Sequence, residues 1–227
     1  MSVAQIVDAT DLPRPTVYRI LQTLQELDWT VRDPDSGRIT LGPGLAIINL
    51  QAAQHHPVER VAGDLLEKLS RDLAQTIYIS VRSGDDAVCV SRIESGISIR
   101  TLVMDIGSRQ PLGLGAGSMA LLAALPDDER RSISERNMPR FLAHLGADIE
   151  LFKDTIAKTA TNGHAIHHGL FISGVSGVGV VLRDGANKPF AALSAAFISS
   201  NLNENNLGDY IKQMKETASK ISMRVLA

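Results

Sequence analysis

Residues 12–27 read LPRPTVYRILQTLQEL. Val17, Ile20, Leu21, Leu24 and Leu27 recur at helical spacing and form one apolar stripe, expected to face inward. Arg14, Thr16, Arg19, Gln22 and Gln25 fall away from it. Pro15 suits a first helical position, because its missing N–H has no partner there. The residue before a proline leans extended, so Arg14 is expected at the N-cap. Arg14, Pro15, Thr16, Tyr18, Arg19 and Gln22 then crowd the N-terminal half of the helix, the end that a recognition helix pushes into a major groove. An amphipathic helix packed in an ordinary core has the same periodicity.

The flanking residues extend the pattern. Ser2 can cap a short helix with Val3, Ile6 and Val7 on one face. Thr10 and Asp11 form the turn, where Asp tolerates a left-handed backbone. Thr30–Arg32 and Arg38–Leu41 are short strand candidates around the turn-rich residues 33–37. Helix, turn, helix and hairpin make a winged helix-turn-helix. Arg38 on the wing is placed near phosphate or the minor groove.

The stretch VAQIVDATDLPRPTVYRILQTLQELDWTVRDPDSGRITLGPGL resembles the DNA-binding segment of the IclR family of bacterial transcription regulators, and the rest of the chain follows that family's order. The family pattern has glycine where this chain has Asp11 and Asp28, both at turns. The resemblance implies operator DNA as partner, and a homodimer or tetramer. Family members carry one more helix ahead of Ser2, so the DNA-binding domain is expected to lack its first helix. A sensor with impaired or no DNA binding is the alternative.

Composition bounds these readings. With 227 residues, 44% of them hydrophobic, the chain can bury a sizeable core in one or two domains. The formal net charge is −2. Residues 1–43 carry Arg14, Arg19, Arg32 and Arg38 against Asp8, Asp11, Glu26, Asp28, Asp33 and Asp35, which is not the basic footprint of a strong nonspecific DNA binder. Dimerisation would double a weak half-site contact. The single Cys89 excludes an intramolecular disulfide framework. No signal peptide or membrane-spanning run is read, so the expected compartment is the cytoplasm.

Beyond the wing, Gly42, Pro43 and Gly44 mark a boundary. The reading divides the chain into a winged helix-turn-helix over 1–43, a linker over 44–57 with a helix at 45–54, and an effector-binding domain over 58–227. In that domain Val58–Leu73 is a helix. Thr76–Arg82, Ala87–Ile93 and about Ser98–Met104 are strands. Asp148–Thr161 is a helix, His164–His168, Val175–Arg183 and Phe190–Phe197 are strands, and Glu204–Leu226 is a terminal helix. A mostly antiparallel sheet bracketed by helices is an α+β fold. IclR effector domains have such a fold, related to GAF and PAS modules.

The chemistry of this domain is expected near PLGLGAGSMALLAALP, where Gly113, Gly115 and Gly117 bare the backbone before a helix starting near Ser118. Free amides at a helix start make a small anion cradle. A tight turn that needs glycines reads the same way. A dinucleotide site does not fit, because no βαβ strand precedes the run and no acidic partner follows it. The resemblance implies that the Gly115 and Ala116 amides hold an effector's carboxylate and that Ser194 hydrogen-bonds the ligand. His167 stands where many members carry an acid, Gly177 where some carry cysteine, and Ala196 where some carry a second serine. Gly177 and Ala196 are expected to enlarge the pocket, with Leu102, Met104, Leu112 and Leu114 as its walls. The expected effector is a small organic acid larger than a keto acid, with an aromatic body admissible.

His164, His167 and His168 do not make a metal site, since on a strand only His164 and His168 share a face. His167 alone can donate to a carboxylate or phenolate. No nucleophile stands beside a base in a recognisable motif, and no P-loop is present. Ser118 beside Gly117 lacks the nucleophile-elbow pattern. No catalytic activity and no cofactor are expected.

Overall fold

A computed structural model describes residues 1–48, 57–96, 104–145 and 148–226. The chain divides into two compact units, Met1–Arg60 and Val61–Ala227.

In the first unit, α1 (Val3–Thr10) opens with a reciprocal cap. The Gln5 amide donates to Ser2 Oγ at 3.2 Å, and the Ser2 amide donates to Gln5 Oε1 at 2.8 Å. The helix stops at Asp11, whose φ of 52° is left-handed as expected from the turn. α2 (Arg14–Glu26) begins one residue earlier than the pre-proline rule places it. The Pro13 carbonyl accepts from the Thr16 and Val17 amides at 2.8 and 3.1 Å, so Pro13 takes the N-cap position and Arg14 enters the first turn. Val3, Val17, Leu21 and Ile39 close a small core, with Ile6 and Val7 packed against it. The apolar stripe is therefore narrower than expected: Ile20 is 43% and Leu27 50% exposed. So few partners cover only the strip around Val17 and Leu21.

β1 (Thr30–Arg32) and β2 (Ile39–Leu41) pair antiparallel as the wing. Its turn is tied by Asp33, whose Oδ1 accepts from the amides of Asp35 and Ser36 and from the Ser36 hydroxyl. These bonds, the Ser36 hydroxyl first, hold the Asp33 carboxyl below the usual carboxylate range. Asp28, like Asp11, is left-handed, with φ 55°. Gly42 has a packing role beside its place at a boundary, since a Cβ there would strike the Asp28 carbonyl. Residues 44–48 are helical, and the rest of the expected linker helix lies outside the described residues.

α3 (Pro57–Leu73) leads into the larger unit. Among the described residues six strands follow: β3 (Thr76–Ser83), β4 (Asp86–Ile93), β5 (Arg109–Pro111), β6 (Ala165–Ile172), β7 (Val175–Arg183) and β8 (Pro189–Ile198). They form one antiparallel sheet in the order β5-β4-β3-β8-β7-β6. Between β5 and β6 come α4 (Ala116–Ala123), α5 (Asp127–Leu145) and α6 (Ile149–Asn162), and α7 (Glu204–Leu226) ends the chain. α4 lies on β7 and β8, and its residues are buried from end to end. This is the expected α+β arrangement of a sheet flanked by helices.

The strand expected over 98–104 lies outside the described residues except at Met104, and β5, which the sequence reading did not expect, pairs with β4 at the edge of the described sheet. One helix departs from the sequence reading. α5 was not expected, because its 19 residues are strongly polar and contain Pro139. Only Ile133, Asn137, Phe141 and Leu145 are buried, every fourth residue. Met138 packs partly buried against the same cluster, and ion pairs add to the attachment: Arg136 and Arg140 each pair at 2.6 Å with Asp85 and Asp86 respectively. The Asn137 amide donates to the Asp85 carbonyl at 2.7 Å. Among the described residues, no helix is long and apolar enough to cross a membrane.

Candidate functional site

The middle of the sheet is bare where α4 meets it. His167 on β6 is paired with Gly177 on β7, and Gly177 with Ala196 on β8. In the next row Gly179 is paired with Ser194, and Ser194 with Tyr78 on β3. A Cβ at Gly179 would collide with the Ala116 carbonyl, so a side chain there would lift the start of α4 off the sheet.

The loop before α4 is pinned from below. The Ser118 hydroxyl accepts from the Gly113 amide at 2.8 Å and donates to the Pro111 carbonyl at 3.3 Å. That buried serine is a fastening of the loop. Gly115 is the N-cap, with φ 82° and no side-chain capping bond. A residue with a side chain would be strained at that φ and would meet Gln110 Nε2 at 2.9 Å. The helix starts at Ala116, two residues earlier than expected, so the Ala116 and Gly117 amides occupy its first positions. Amides there lack intrahelical acceptors, and the helix dipole adds partial positive charge.

A cavity of about 210 Å³ opens at this point. Met104, Leu114, Gly115, Ala116, His167, Gly177, Ser194 and Ala196 all line it. Leu102 lies outside the described residues. Leu112 does not line the cavity: it is fully buried in the cluster with Leu122, Phe141 and Phe152. The expected role of Gly177 also changes. Its missing side chain is not empty space, because a Cβ would collide with His167 Nε2 and come within 3.0 Å of Ala116 Cβ. The imidazole therefore lies beside the helix start.

His167 is 8% exposed, and its Nδ1 is buried without a hydrogen-bond partner. Burial, with a smaller contribution from His168, lowers its pKa to about 4, so the ring is neutral at physiological pH. Phe171 packs edge-on against the ring at 4.6 Å between centroids. Ser194 Oγ lies 2.9 Å from where a Gly117 Cβ would stand.

The sequence reading missed Tyr78, Gln110, His144 and Phe171, which share the cavity. Phe171 was legible in principle, since β6 runs on to Ile172 instead of stopping at His168. Tyr78 could be found only from the β3–β8 register. Gln110 sits on a three-residue strand, too short for a periodic signal. His164, His167 and His168 do not converge: His164 Nδ1 bonds to the Asn162 carbonyl, and His168 is exposed. Among the described residues no group of three or more metal-ligating side chains comes together.

On the small unit, Arg14, Pro15, Tyr18, Arg19 and Gln22 are exposed on α2, and Thr16 is half-buried in its first turn. The Arg14 guanidinium lies 5.9 Å from the centre of the Tyr18 ring. Gln22 Nε2 donates to Glu26 Oε1 at 3.1 Å. Arg38 is exposed on the wing.

Comparison with known proteins agrees in both units. Residues 1–34 match the family model for the IclR helix-turn-helix domain, and residues 50–223 match that for the bacterial transcriptional regulator IclR C-terminal region. The chain is 24% identical over 226 residues to the HTH-type transcriptional regulator KipR of Bacillus subtilis, covering 99% of this chain and 90% of that protein. In fold it resembles an IclR transcriptional regulator from Alicyclobacillus acidocaldarius, with a TM-score of 0.83 at 23% identity over 99% of this chain and 90% of that one. An IclR homologue from Microbacterium hydrocarbonoxydans, solved with 4-hydroxybenzoate, gives a TM-score of 0.83 at 19% identity, over 99% of this chain and 91% of that one. With both halves matched in chain order, the protein belongs to the IclR family of bacterial transcriptional regulators.

Proposed function

We propose that residues 1–43 bind operator DNA through α2 and the wing, that residues 44–57 link, and that residues 58–227 bind a small organic acid that controls the DNA contact. The observation that carries the effector half is the convergence, in one cavity, of uncapped helix amides, the Ser194 side chain and the unpartnered Nδ1 of His167. A carboxylate on the Gly115 and Ala116 amides leaves the body of the acid against Met104 and Leu114, with Ser194 and His167 facing its polar atoms. The homologue solved with 4-hydroxybenzoate supports an aromatic acid as one admissible body. Arg14, Thr16, Tyr18, Arg19 and Gln22 supply the groove contacts, and Arg38 contacts phosphate or the minor groove. Assembly as a homodimer or tetramer compensates for the acidic balance of residues 1–43 by engaging two half-sites.

Selection of duplexes from a random pool, followed by titration at fixed salt with and without 4-hydroxybenzoate, tests this reading. Enrichment of a two-fold symmetric sequence, with affinity altered by the acid, is the expected result. Failure to enrich any sequence, with the acid still bound, would leave a sensor without DNA binding, the alternative that the acidic small unit favours. Unchanged affinity in both Arg19→Ala and Thr16→Ala would remove this face of α2 as the reader.

A further inference from the structure

Among the described residues, the groups that line the cavity at the start of α4 include no lysine, arginine, aspartate or glutamate. Gln110 faces inward, since its cross-strand partner Ala87 belongs to the inner core cluster. Its Nε2 stands 2.9 Å from the position a Gly115 Cβ would take, beside the uncapped amides. Among the described residues its carboxamide makes no hydrogen bond. Among those residues, the titratable side chains facing the cavity are Tyr78, His144 at the exposed end of α5, and His167, whose buried Nδ1 lacks a partner. Arg92 reaches the carbonyl of the lining residue Met104 at 3.3 Å, but its guanidinium is occupied by Asp105 at 2.6 Å and Glu94 at 3.2 Å. Much of the remaining wall is apolar: Met104, Leu114, Phe171, Ile172 and Val175.

We infer that the cavity is selective for monocarboxylates, and that Gln110 is the residue that sets this selectivity by donating its amide N–H to a carboxylate held on the Gly115–Ala116 turn. The inference rests on the effector reading above and narrows its ligand class. One negative charge is met by helix amides and the Gln110 carboxamide. A second carboxylate, carried into the apolar part of the cavity, meets no lysine or arginine among the described residues and loses its water. A cation in place of Gln110 would relax this limit, and an anion there would oppose even the first charge.

Calorimetric titration of the full chain with matched pairs, benzoate against terephthalate and hexanoate against adipate, tests the inference. The monocarboxylate of at least one pair is expected to bind tighter than its dicarboxylate by about tenfold or more. The near-isosteric Gln110→Glu is expected to weaken that monocarboxylate by about tenfold or more, and Gln110→Arg to narrow the gap within the pair. Thermal unfolding of both variants, with midpoints close to the parent's, separates a binding effect from misfolding. Ala116→Leu, expected to abolish binding, reports on the site itself. Acids that bind and are lost in Ala116→Leu, yet show no preference by charge or no response to Gln110→Glu, would overturn the inference and leave the effector site standing. Binding indifferent to Ala116→Leu, or no binding by any of the four acids, would overturn both.

Discussion

The two units place their candidate functional residues on opposite sides of their cores. In Met1–Arg60, four buried side chains among the described residues close the interior, and Arg14, Tyr18, Arg19, Gln22 and Arg38 are exposed. In Val61–Ala227, the polar residues of interest turn inward: Ser194 and His167 are buried against the start of α4. A long polyanion is read from a surface, and a small acid from a cavity that two packed elements shape together. Damage to the small core should therefore cost DNA binding and spare acid binding measured without DNA, whereas small changes in the sheet should cost acid binding, and with it the acid's control, but spare DNA binding measured without acid.

Leu21→Ala is the strongest way to break that separation. Leu21 is one of the four buried side chains that the described residues bring to this core, so its truncation is expected to cost about 2–5 kcal/mol of stability in that unit. Two-probe unfolding of the full chain would check it. DNA affinity should collapse while acid affinity is kept, and a parallel loss of both would mean the units are not separable.

Acidification probes the other unit. The His167 pKa is lowered from 6.5 to about 4 by burial. Below pH 6.5 the unfolded chain takes up a proton that the folded chain refuses. Stability therefore falls as pH drops through the window from 6.5 to about 4, by about 3 kcal/mol in total, and His167 contributes no pH dependence above that window. His167→Asn keeps a polar group without an ionising ring. Chemical denaturation across this range should give a flatter curve for that variant, and identical slopes would mean that His167 is not held neutral.

Arg19→Ala should cost about 1–3 kcal/mol on the selected duplex if the guanidinium reads a base edge, and leave acid affinity unchanged. A loss equal on random and selected duplexes would reassign Arg19 to phosphate. Ser194→Ala should weaken acid binding by roughly 0.5–1.5 kcal/mol without affecting DNA binding in the absence of acid, as read by calorimetry and anisotropy.

What was legible in the sequence follows the same division. α2 announced itself because its polar and apolar residues alternate at helical spacing, Asp11 adopts the left-handed turn expected of it, and Asp28, expected only at a turn, is left-handed as well. Ile20 and Leu27 were misjudged because periodicity reports a stripe and not how much of it a small core can cover. β7 and β8 read correctly from their β-rich runs. α5 did not, because Arg136 and Arg140 hold it through ion pairs to a hairpin some fifty residues earlier in the chain, a cause that has no local signal. In the cavity, Gly115, Ala116, Ser194 and His167 were found through a glycine-rich turn and a family resemblance. Gln110 and Tyr78 enter only through strand register, which hydrophobic pattern alone does not specify when the strands are short or buried on both faces.

The most direct test of the cradle is to watch its amides. In ¹H–¹⁵N spectra of the full chain titrated with a bound monocarboxylate, the Gly115, Ala116 and Gly117 amide protons should move downfield and saturate together with the calorimetric binding curve. The resonances of α2 should shift less than these in the absence of DNA. If the acid binds and these three amides stay in place while another set of resonances follows the binding curve, the start of α4 is not where this protein holds its effector.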